Sequence, residues 1–172
     1  MCIRDSLSIA RPNLDIVYED DNILLVDKKP GMLCHSDGGW SPNTLIAHIQ
    51  AYLYQTHVWD PKAENAFAPA LCNRIDRNTA GIVIAAKNAE ALRILNEKIK
   101  LREIDKYYLC VVHGAPRPLS GTLQGYLFKD AVKNQVYVRK TPCPGAKTAV
   151  TEYKVLLSKR ALSLVELSLI HI

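Results

Sequence analysis

Short apolar runs separated by polar turns dominate the start of the chain, and the first two runs predict a β-hairpin. Residues 15–18 and 22–28 are apolar runs, and Glu19, Asp20 and Asp21 lie between them. This composition suits two strands around a tight turn. The sequence Lys-Pro-Gly at 29–31 then ends the second strand, because proline presets a turn and glycine tolerates positive φ.

Two later segments repeat apolar residues at the 3.6-residue period of an α-helix. The first helix is predicted after Ser41 and Pro42, and its apolar face comprises Leu45, Ile46, Ile49, Tyr52 and Leu53. The second helix is predicted to begin after Asn88, a suitable N-cap, with Glu90 in its first turn. Its buried face is expected to comprise Ala91, Leu92, Leu95 and Ile99. Residues 57–69 carry charges, a proline and no period, so they predict a surface loop.

The remaining apolar runs are short and predict strands. These strands are expected at residues 81–86, 107–113, 121–128, 134–139, 148–157 and 162–166. Strands therefore outnumber helices, and the second half of the chain holds only strands. This pattern predicts an α+β fold with a mainly antiparallel or mixed sheet and a few flanking helices, in one domain.

Composition narrows the classes of function. The net charge is +5, from 22 Lys and Arg against 17 Asp and Glu, which is compatible with a polyanionic partner and equally with an ordinary enzyme. No GxGxxG or GxxxxGK[ST] loop is present, which excludes the commonest nucleotide-binding sites. The five cysteines form no CxxC pair and are expected to be reduced. We expect no metal, because four histidines lack ligand spacing: His35, His48, His57 and His113.

The chain shows no membrane or export signal. No apolar run is long enough to span a bilayer, and the N-terminus lacks the apolar core of a signal peptide. A soluble, cytoplasmic protein without a membrane partner is therefore expected. The sequence gives no indication of an oligomeric state.

The two ends of the chain are related at the level of the nucleic acid. The first six residues, MCIRDS, can be encoded by ATG TGT ATA AGA GAC AG plus one base. The reverse complement of that string translates as LSLIHI, the final six residues. The string resembles a transposon end used in preparing sequencing libraries. We therefore expect residues 1–6 and 167–172 to be non-native, and residues 7–166 to form one partial domain.

The segment CNRIDRNTAG at residues 72–81 carries the candidate chemistry, because it places a carboxylate in a loop directly before an apolar strand. A loop held by a rigid strand can present a reactive carboxylate to a large substrate. Arg74 and Arg77 beside Asp76 are expected to hold the carboxylate ionised and to offer guanidinium groups to phosphates. The alternative is a structural Asp–Arg pair in a turn, and composition alone favours this alternative.

Four segments together resemble the RluA-type pseudouridine synthase family. Residues 73–81 resemble the family motif H/N-R-[LI]-D-x-x-[ST]-[SAG]-G, and EDDNILLVDKKPG at 19–31 is similar to its opening hairpin. The strings KYYLCVVHG at 106–114 and KTAVTEYKVL at 147–156 are similar to two of its later strands. The motifs follow the family order over most of the chain, and the aspartate motif is the most specific of them.

The resemblance implies a role for each motif residue. Asp76 matches the catalytic aspartate, which acts as nucleophile or as charge stabiliser while the uridine base is detached, rotated and rejoined through C5, so no cofactor is implied. Arg74 matches an arginine that fills the space left by the extruded nucleotide. Tyr108 matches a tyrosine that lies against the target base and assists proton transfer at C5, which makes it the second catalytic candidate, and Tyr107 is expected on the opposite face of the strand. Of these motif residues, the ones expected to contact RNA are Asn73, Arg74, Arg77 and Thr79.

The sequence departs from the family pattern in two places. Asn73 stands where many members have His, and both side chains can form hydrogen bonds. The family's G-R-T-H-Q-I-R segment, whose arginine pairs with the aspartate, is expected soon after Glu166, where the chain instead continues with LSLIHI. An N-terminal S4-type RNA-binding domain, common in the family, is not visible either.

The leading function is therefore an RNA pseudouridine synthase, and the resemblance favours ribosomal RNA of the large subunit over transfer RNA as the substrate. An RNA-binding module without activity, degenerate or truncated, is the second reading. A glycosidase-like hydrolase is the third, but it requires two carboxyl groups and one convincing candidate is present. Further cations could face RNA or simply be solvated: Lys28, Lys29, Lys98, Lys100, Arg102 and Lys106.

Overall fold

The four-stranded sheet of the first unit carries the candidate loop. The structure is a computed structural model and describes residues 11–36, 41, 43–63, 66–133 and 135–171. The chain forms two compact units, Met1–Leu101 and Arg102–Ile172. The first unit contains strands β1 Ile16–Glu19, β2 Ile23–Lys28, β3 Ala70–Leu71 and β4 Gly81–Ala86, with helices α1 Leu45–Gln55 and α2 Ala89–Lys100. Its strands pair antiparallel in the order β1-β2-β4-β3.

Apolar side chains of β2, β4 and α1 form the core of the first unit. The buried cluster comprises Leu24, Val26, Cys34, Leu45, Ile49, Leu53, Val83 and Ala85. Helix α1 was predicted to follow Ser41 and Pro42, and it begins at Leu45 with Thr44 as its N-cap. The Thr44 hydroxyl accepts a hydrogen bond from the Ala47 amide at 3.4 Å, which satisfies one of the free donors of the first turn.

The predicted helix faces agree with the observed burial. In α1, Leu45, Ile49 and Leu53 are buried, and Tyr52 is partly buried with its hydroxyl on Glu19 at 2.8 Å. Asn88 caps α2 through the Ala91 amide at 2.8 Å, as predicted. In α2, Ala91 is buried and the other three residues of the predicted face are half-buried: Leu92, Leu95 and Ile99. Within the described parts of the chain, no helix combines the length and the apolar character needed to cross a membrane.

The second unit is built from antiparallel strands. These are β5 Tyr107–His113, β6 Ser120–Asp130, β7 Gln135–Arg139, β8 Lys147–Lys159 and β9 Leu162–His171. They pair in the order β5-β9-β8-β6-β7. With the first unit, they confirm the predicted α+β class. The short strand β3 lies just beyond the predicted surface loop at 57–69 and was not predicted, because two residues are too few to show a period.

The last strand is longer than predicted. It was expected to end at Glu166, but β9 continues to His171, and Leu167 lies opposite Tyr108 on β5 and Tyr153 on β8. Strand formation requires only an alternating sequence and a free backbone on either side. The extension of β9 to His171 therefore does not test whether residues 167–172 are native. Residues 1–6 lie outside the described residues.

Candidate active site

The candidate loop runs from β3 to β4 and is fixed at its start by Asn73. The Asn73 Oδ1 atom accepts a hydrogen bond from the Ile84 amide at 2.8 Å, and its Nδ2 atom donates to the Ile82 carbonyl at 3.3 Å. The side-chain amide of Asn73 thus forms the same pair of hydrogen bonds with β4 that a backbone peptide group of a neighbouring strand would form. The Cys72 amide donates to the Ile84 carbonyl at 2.8 Å next to it. Asn73 therefore aligns the first residue of the motif with the buried strand.

The middle of the loop is held by the turn that follows β2. The Gly31 amide donates to the Arg77 carbonyl at 2.8 Å, and the Arg77 Nε atom donates back to the Gly31 carbonyl at 3.1 Å. The Cys34 thiol donates to the Ile75 carbonyl at 3.4 Å. Both residues that flank Asp76 in sequence are thus anchored through their carbonyl oxygens. Loop residues held in this way vary little in position, which a reacting carboxylate requires.

A buried lysine completes this support. Lys28 is 1% exposed, and its Nζ atom donates to the carbonyl oxygens of Lys29, Met32 and Arg77 at 3.1, 2.9 and 3.1 Å. A buried ammonium group is tolerated only when its donors are satisfied. Both interpretations of Lys28 from the sequence, as an RNA-facing or as a solvated cation, are therefore wrong. Its position explains why: it follows Leu24 and Val26 in the alternation of β2, so it points to the core.

The carboxylate of Asp76 is exposed at the tip of this supported loop. Its backbone carbonyl accepts a hydrogen bond from the Thr79 amide at 3.1 Å, which closes a turn. Among the residues that the structure describes, neither Arg74 nor Arg77 forms an ion pair with it. The alternative of a structural Asp–Arg pair in the turn is therefore not seen among these residues, and the Arg77 Nε atom donates to Gly31 instead. The Asp76 carboxylate is left open to an incoming group.

Arg74 is also exposed, and it lies close enough to His35 to act on it electrostatically. Partial burial lowers the pKa of His35, and the positive charge of Arg74 lowers this pKa further. The Nδ1 atom of His35 is buried and has no hydrogen-bond partner among the described residues. Both effects favour the neutral form of His35 beside Arg74.

Tyr108 belongs to the second unit and lies on β5. The strand alternates in exposure as predicted: Tyr107 is 62% exposed, whereas Tyr108 is half-buried. Tyr108 lies opposite Leu167 of β9. The structure thus brings Asn73, Arg74, Asp76, Arg77 and Thr79 together in one loop of the first unit, and it places Tyr108 within the sheet of the second.

Comparison with known proteins assigns these features to a family. A family model described as RNA pseudouridylate synthase matches residues 22–171. The chain belongs to the RNA pseudouridylate synthase family. It is 33% identical to an RNA pseudouridine synthase of Mycoplasma pneumoniae, over 95% of this chain and 50% of the relative. It is 28% identical to a ribosomal large subunit pseudouridine synthase D of Borreliella burgdorferi, over 95% of this chain and 49% of the relative.

The fold agrees with solved structures of pseudouridylate synthases. Human RNA pseudouridylate synthase domain containing 4 superposes with a TM-score of 0.72 over 99% of this chain and 63% of that chain, at 20% identity. The chain spans about half the length of the curated relatives it matches. The family match extends over both compact units, so both contribute to a single pseudouridylate synthase fold.

The family motif ends in glycine for a backbone reason. Gly81 opens β4 with φ +133, a conformation that side-chain-bearing residues rarely adopt. A Cβ atom there would meet no atom within 4 Å, so the requirement concerns conformation and not space. The turn from the exposed Asp76 into the buried strand depends on this residue.

Proposed function

We propose that this protein is an RNA pseudouridine synthase that isomerises uridines in structured RNA, with Asp76 as the catalytic carboxylate. Family membership supports the reaction class, and the exposed, unpaired carboxylate on a rigid loop is the observation that carries the assignment. In the reaction, the N1–C1′ bond breaks, a C5–C1′ bond forms, the C5 proton leaves and N1 gains a proton. The reaction is balanced without a co-reactant, so the proposal includes no cofactor.

The other motif residues have supporting roles in this proposal. Arg74, exposed beside His35, fills the space left by the extruded nucleotide, because a stacked uridine hides its glycosidic bond. Arg77 contacts a phosphate through its terminal nitrogen atoms, since its Nε atom is already used by Gly31. Asn73 and Thr79 shape the surface on which the RNA backbone rests. Tyr108 supplies an aromatic ring against the target base.

Ribosomal RNA of the large subunit is the proposed substrate class. The name of the Borreliella burgdorferi relative supports this choice over transfer RNA. The cytoplasmic location is part of the same proposal and follows from the substrate class. The assignment of residues 7–166 to one catalytic domain also belongs to it.

Tritium release from RNA labelled at uridine C5 tests the catalytic assignment. The 172-residue chain is expected to release tritium from a large-subunit ribosomal RNA transcript, and Asp76→Asn is expected to abolish release without weakening RNA binding. Asp21→Asn is the matched control, because Asp21 is an exposed acid in the β1–β2 turn. Unchanged release by Asp76→Asn would overturn the assignment.

A second candidate function remains measurable in the same assay. The alternative is an RNA-binding module without activity. RNA binding by the wild-type chain with no tritium release from any transcript would support this second function over the first.

A further inference from the structure

Positive charge is concentrated in one segment of the second unit. Residues 129–147 hold five basic side chains and one acidic side chain, a net charge of +4, against +5 for the whole chain. All five cations are exposed. We call them the basic hairpin: Lys129, Lys133, Arg139, Lys140 and Lys147. A local excess of this size attracts a polyanion far more strongly than the same charge spread over a surface.

The strands of this segment extend beyond the rest of their sheet. Pairing of β6 with β8 ends at the Leu127–Lys147 pair. Beyond it, β6 pairs only with β7, from Phe128 opposite Tyr137 to Asp130 opposite Gln135. Every residue of β7 is exposed. The tip is therefore a two-stranded ribbon that is accessible from both faces.

The single acid of the segment is used inside the turn. The Asp130 Oδ1 atom accepts hydrogen bonds from the amides of Val132 and Lys133, both at 3.0 Å. These two bonds define the turn at the end of β6. The carboxylate thus fixes the ribbon and leaves the lysine side chains free to meet an anion.

One face of the paired strands β6 and β7 combines an arginine with aromatic rings. The Arg139 guanidinium carbon lies 5.2 Å from the centroid of the Phe128 ring, a cation–π arrangement. Tyr137 lies opposite Phe128 and is 39% exposed, and its hydroxyl donates to Gln135 at 2.7 Å. Aromatic rings with an adjacent guanidinium can stack nucleobases, whereas an acidic peptide requires only charge. The combination fits RNA.

We propose that the basic hairpin is an RNA-contacting arm, which binds phosphates through its lysines and stacks an unpaired base on Tyr137 and Arg139. The inference rests on the proposed function, because it assigns a second contact surface for the same substrate class, remote in sequence from the Asp76 motif. It concerns RNA bound outside the target nucleotide, so it predicts effects on affinity and not on the chemical step.

Binding of a fluorescein-labelled RNA stem–loop, followed by anisotropy over a range of salt concentrations, tests the arm. In the triple variant Lys129→Gln, Lys133→Gln, Lys140→Gln, Kd is expected to rise at least tenfold. The slope of log Kd against log salt is expected to fall by about 2, because about three phosphate contacts are lost. The matched control is Lys62→Gln, Arg93→Gln, Lys159→Gln, which removes the same charge from exposed positions elsewhere and is expected to change Kd about twofold.

The stacking contact is tested separately by Tyr137→Leu. This variant keeps an apolar strand residue but removes the ring, so binding to a stem–loop is expected to weaken about tenfold and binding to a fully paired duplex to remain unchanged. Equal weakening on both RNAs would remove Tyr137 from the arm. Equal loss of affinity in the two triple variants would overturn the arm itself, as would equal binding of the wild-type chain to poly-glutamate.

The outcomes separate this inference from the proposed function. If the wild-type chain releases tritium from RNA and the lysine triple variant binds RNA as the wild type does, the arm is wrong and the function stands. If the triple variant loses binding while the wild-type chain isomerises no uridine, the arm stands and the function is wrong. Asp76→Asn is expected to bind the stem–loop with the wild-type Kd in either case.

Discussion

Gly31 and Arg77 form a reciprocal pair of hydrogen bonds between the turn after β2 and the loop before β4. The Gly31 amide donates to the Arg77 carbonyl at 2.8 Å, and the Arg77 Nε atom donates to the Gly31 carbonyl at 3.1 Å. One bond is made by the backbone and the other by the side chain. The residue next to the candidate catalytic aspartate is thus fixed at two points, and its guanidinium orientation is set before RNA arrives.

Replacement of Arg77 is expected to separate orientation from charge. Arg77→Lys keeps the charge but has no Nε donor, so the Gly31 bond is lost and the free energy of unfolding is expected to fall by about 1 kcal/mol. Arg77→Gln loses both the Nε donor and the positive charge. The slope of log Kd against log salt for RNA binding is therefore expected to fall by about 1 as well. Urea unfolding and salt-dependent anisotropy measure the two effects. An unchanged slope in Arg77→Gln would exclude a phosphate contact by this residue.

The buried ammonium group of Lys28 is expected to stabilise the first unit. Lys28→Met removes the donors from three carbonyl oxygens, and hydrogen bonds of charged groups predict a loss of about 2–4 kcal/mol. Lys29→Met, at the exposed neighbouring position, is expected to stay within about 0.5 kcal/mol. Trp59 belongs to the first unit, so its fluorescence during urea unfolding reports the stability of that unit. Equal midpoints for the two variants would show that the buried amine contributes nothing.

The side-chain amide of Asn73 is expected to protect the edge of β4. Asn73→Ala leaves the Ile84 amide and the Ile82 carbonyl without a partner, at a cost of about 1–2 kcal/mol. Hydrogen exchange at the Ile84 amide is expected to accelerate in this variant, while exchange at core amides follows only the global loss. Asn78→Ala, an exposed neighbour in the same loop, provides the control and is expected to leave Ile84 protected.

Asp20 is expected to make the β1–β2 turn sensitive to acid. Hydrogen bonds from the Ile23 and Asn22 amides, at 2.8 Å each, lower the pKa of Asp20 below the ordinary aspartate value. Because the folded-state pKa is the lower one, the ionised carboxylate stabilises the fold above the unfolded-state pKa, and this contribution disappears as the pH falls through the lowered value.

The Asp20→Ala variant checks this pH dependence. Its urea midpoint is expected to lie below that of the wild type at neutral pH, and the two midpoints are expected to converge in acid. Asp21→Ala, one residue further along the turn, is the matched control for the loss of a carboxylate and should show no such convergence. A constant difference between wild type and Asp20→Ala at all pH values would contradict the assignment.

The sequence predicted elements more readily than side-chain partners. Alternation and helical period located all the strands except β3, both helices and the Asn88 cap, since these depend on neighbours in sequence. The role of Lys28 was missed because its charge outweighed its position in the β2 alternation. Arg77 was expected on Asp76, but its partner Gly31 lies 46 residues away and leaves no local signal. The basic hairpin was missed because charge was counted over the whole chain and not by segment.

The strand order of the second unit also determines how its sheet can assemble. Strands β8 and β9 are joined by a tight turn at Arg160, where φ is 55°, so they can pair as soon as both are present. Among the described strands, β5 pairs with β9 alone, and the Ser163 hydroxyl donates to the Gly114 carbonyl across 49 residues. Closing so long a loop lowers the chain entropy before the β5–β9 contacts that compensate for it have formed. The hairpins of the second unit, such as β8–β9, are therefore expected to form first. Strand β5, which carries Tyr108, is expected to pair last, and its pairing with β9 is expected to be the slow step of refolding.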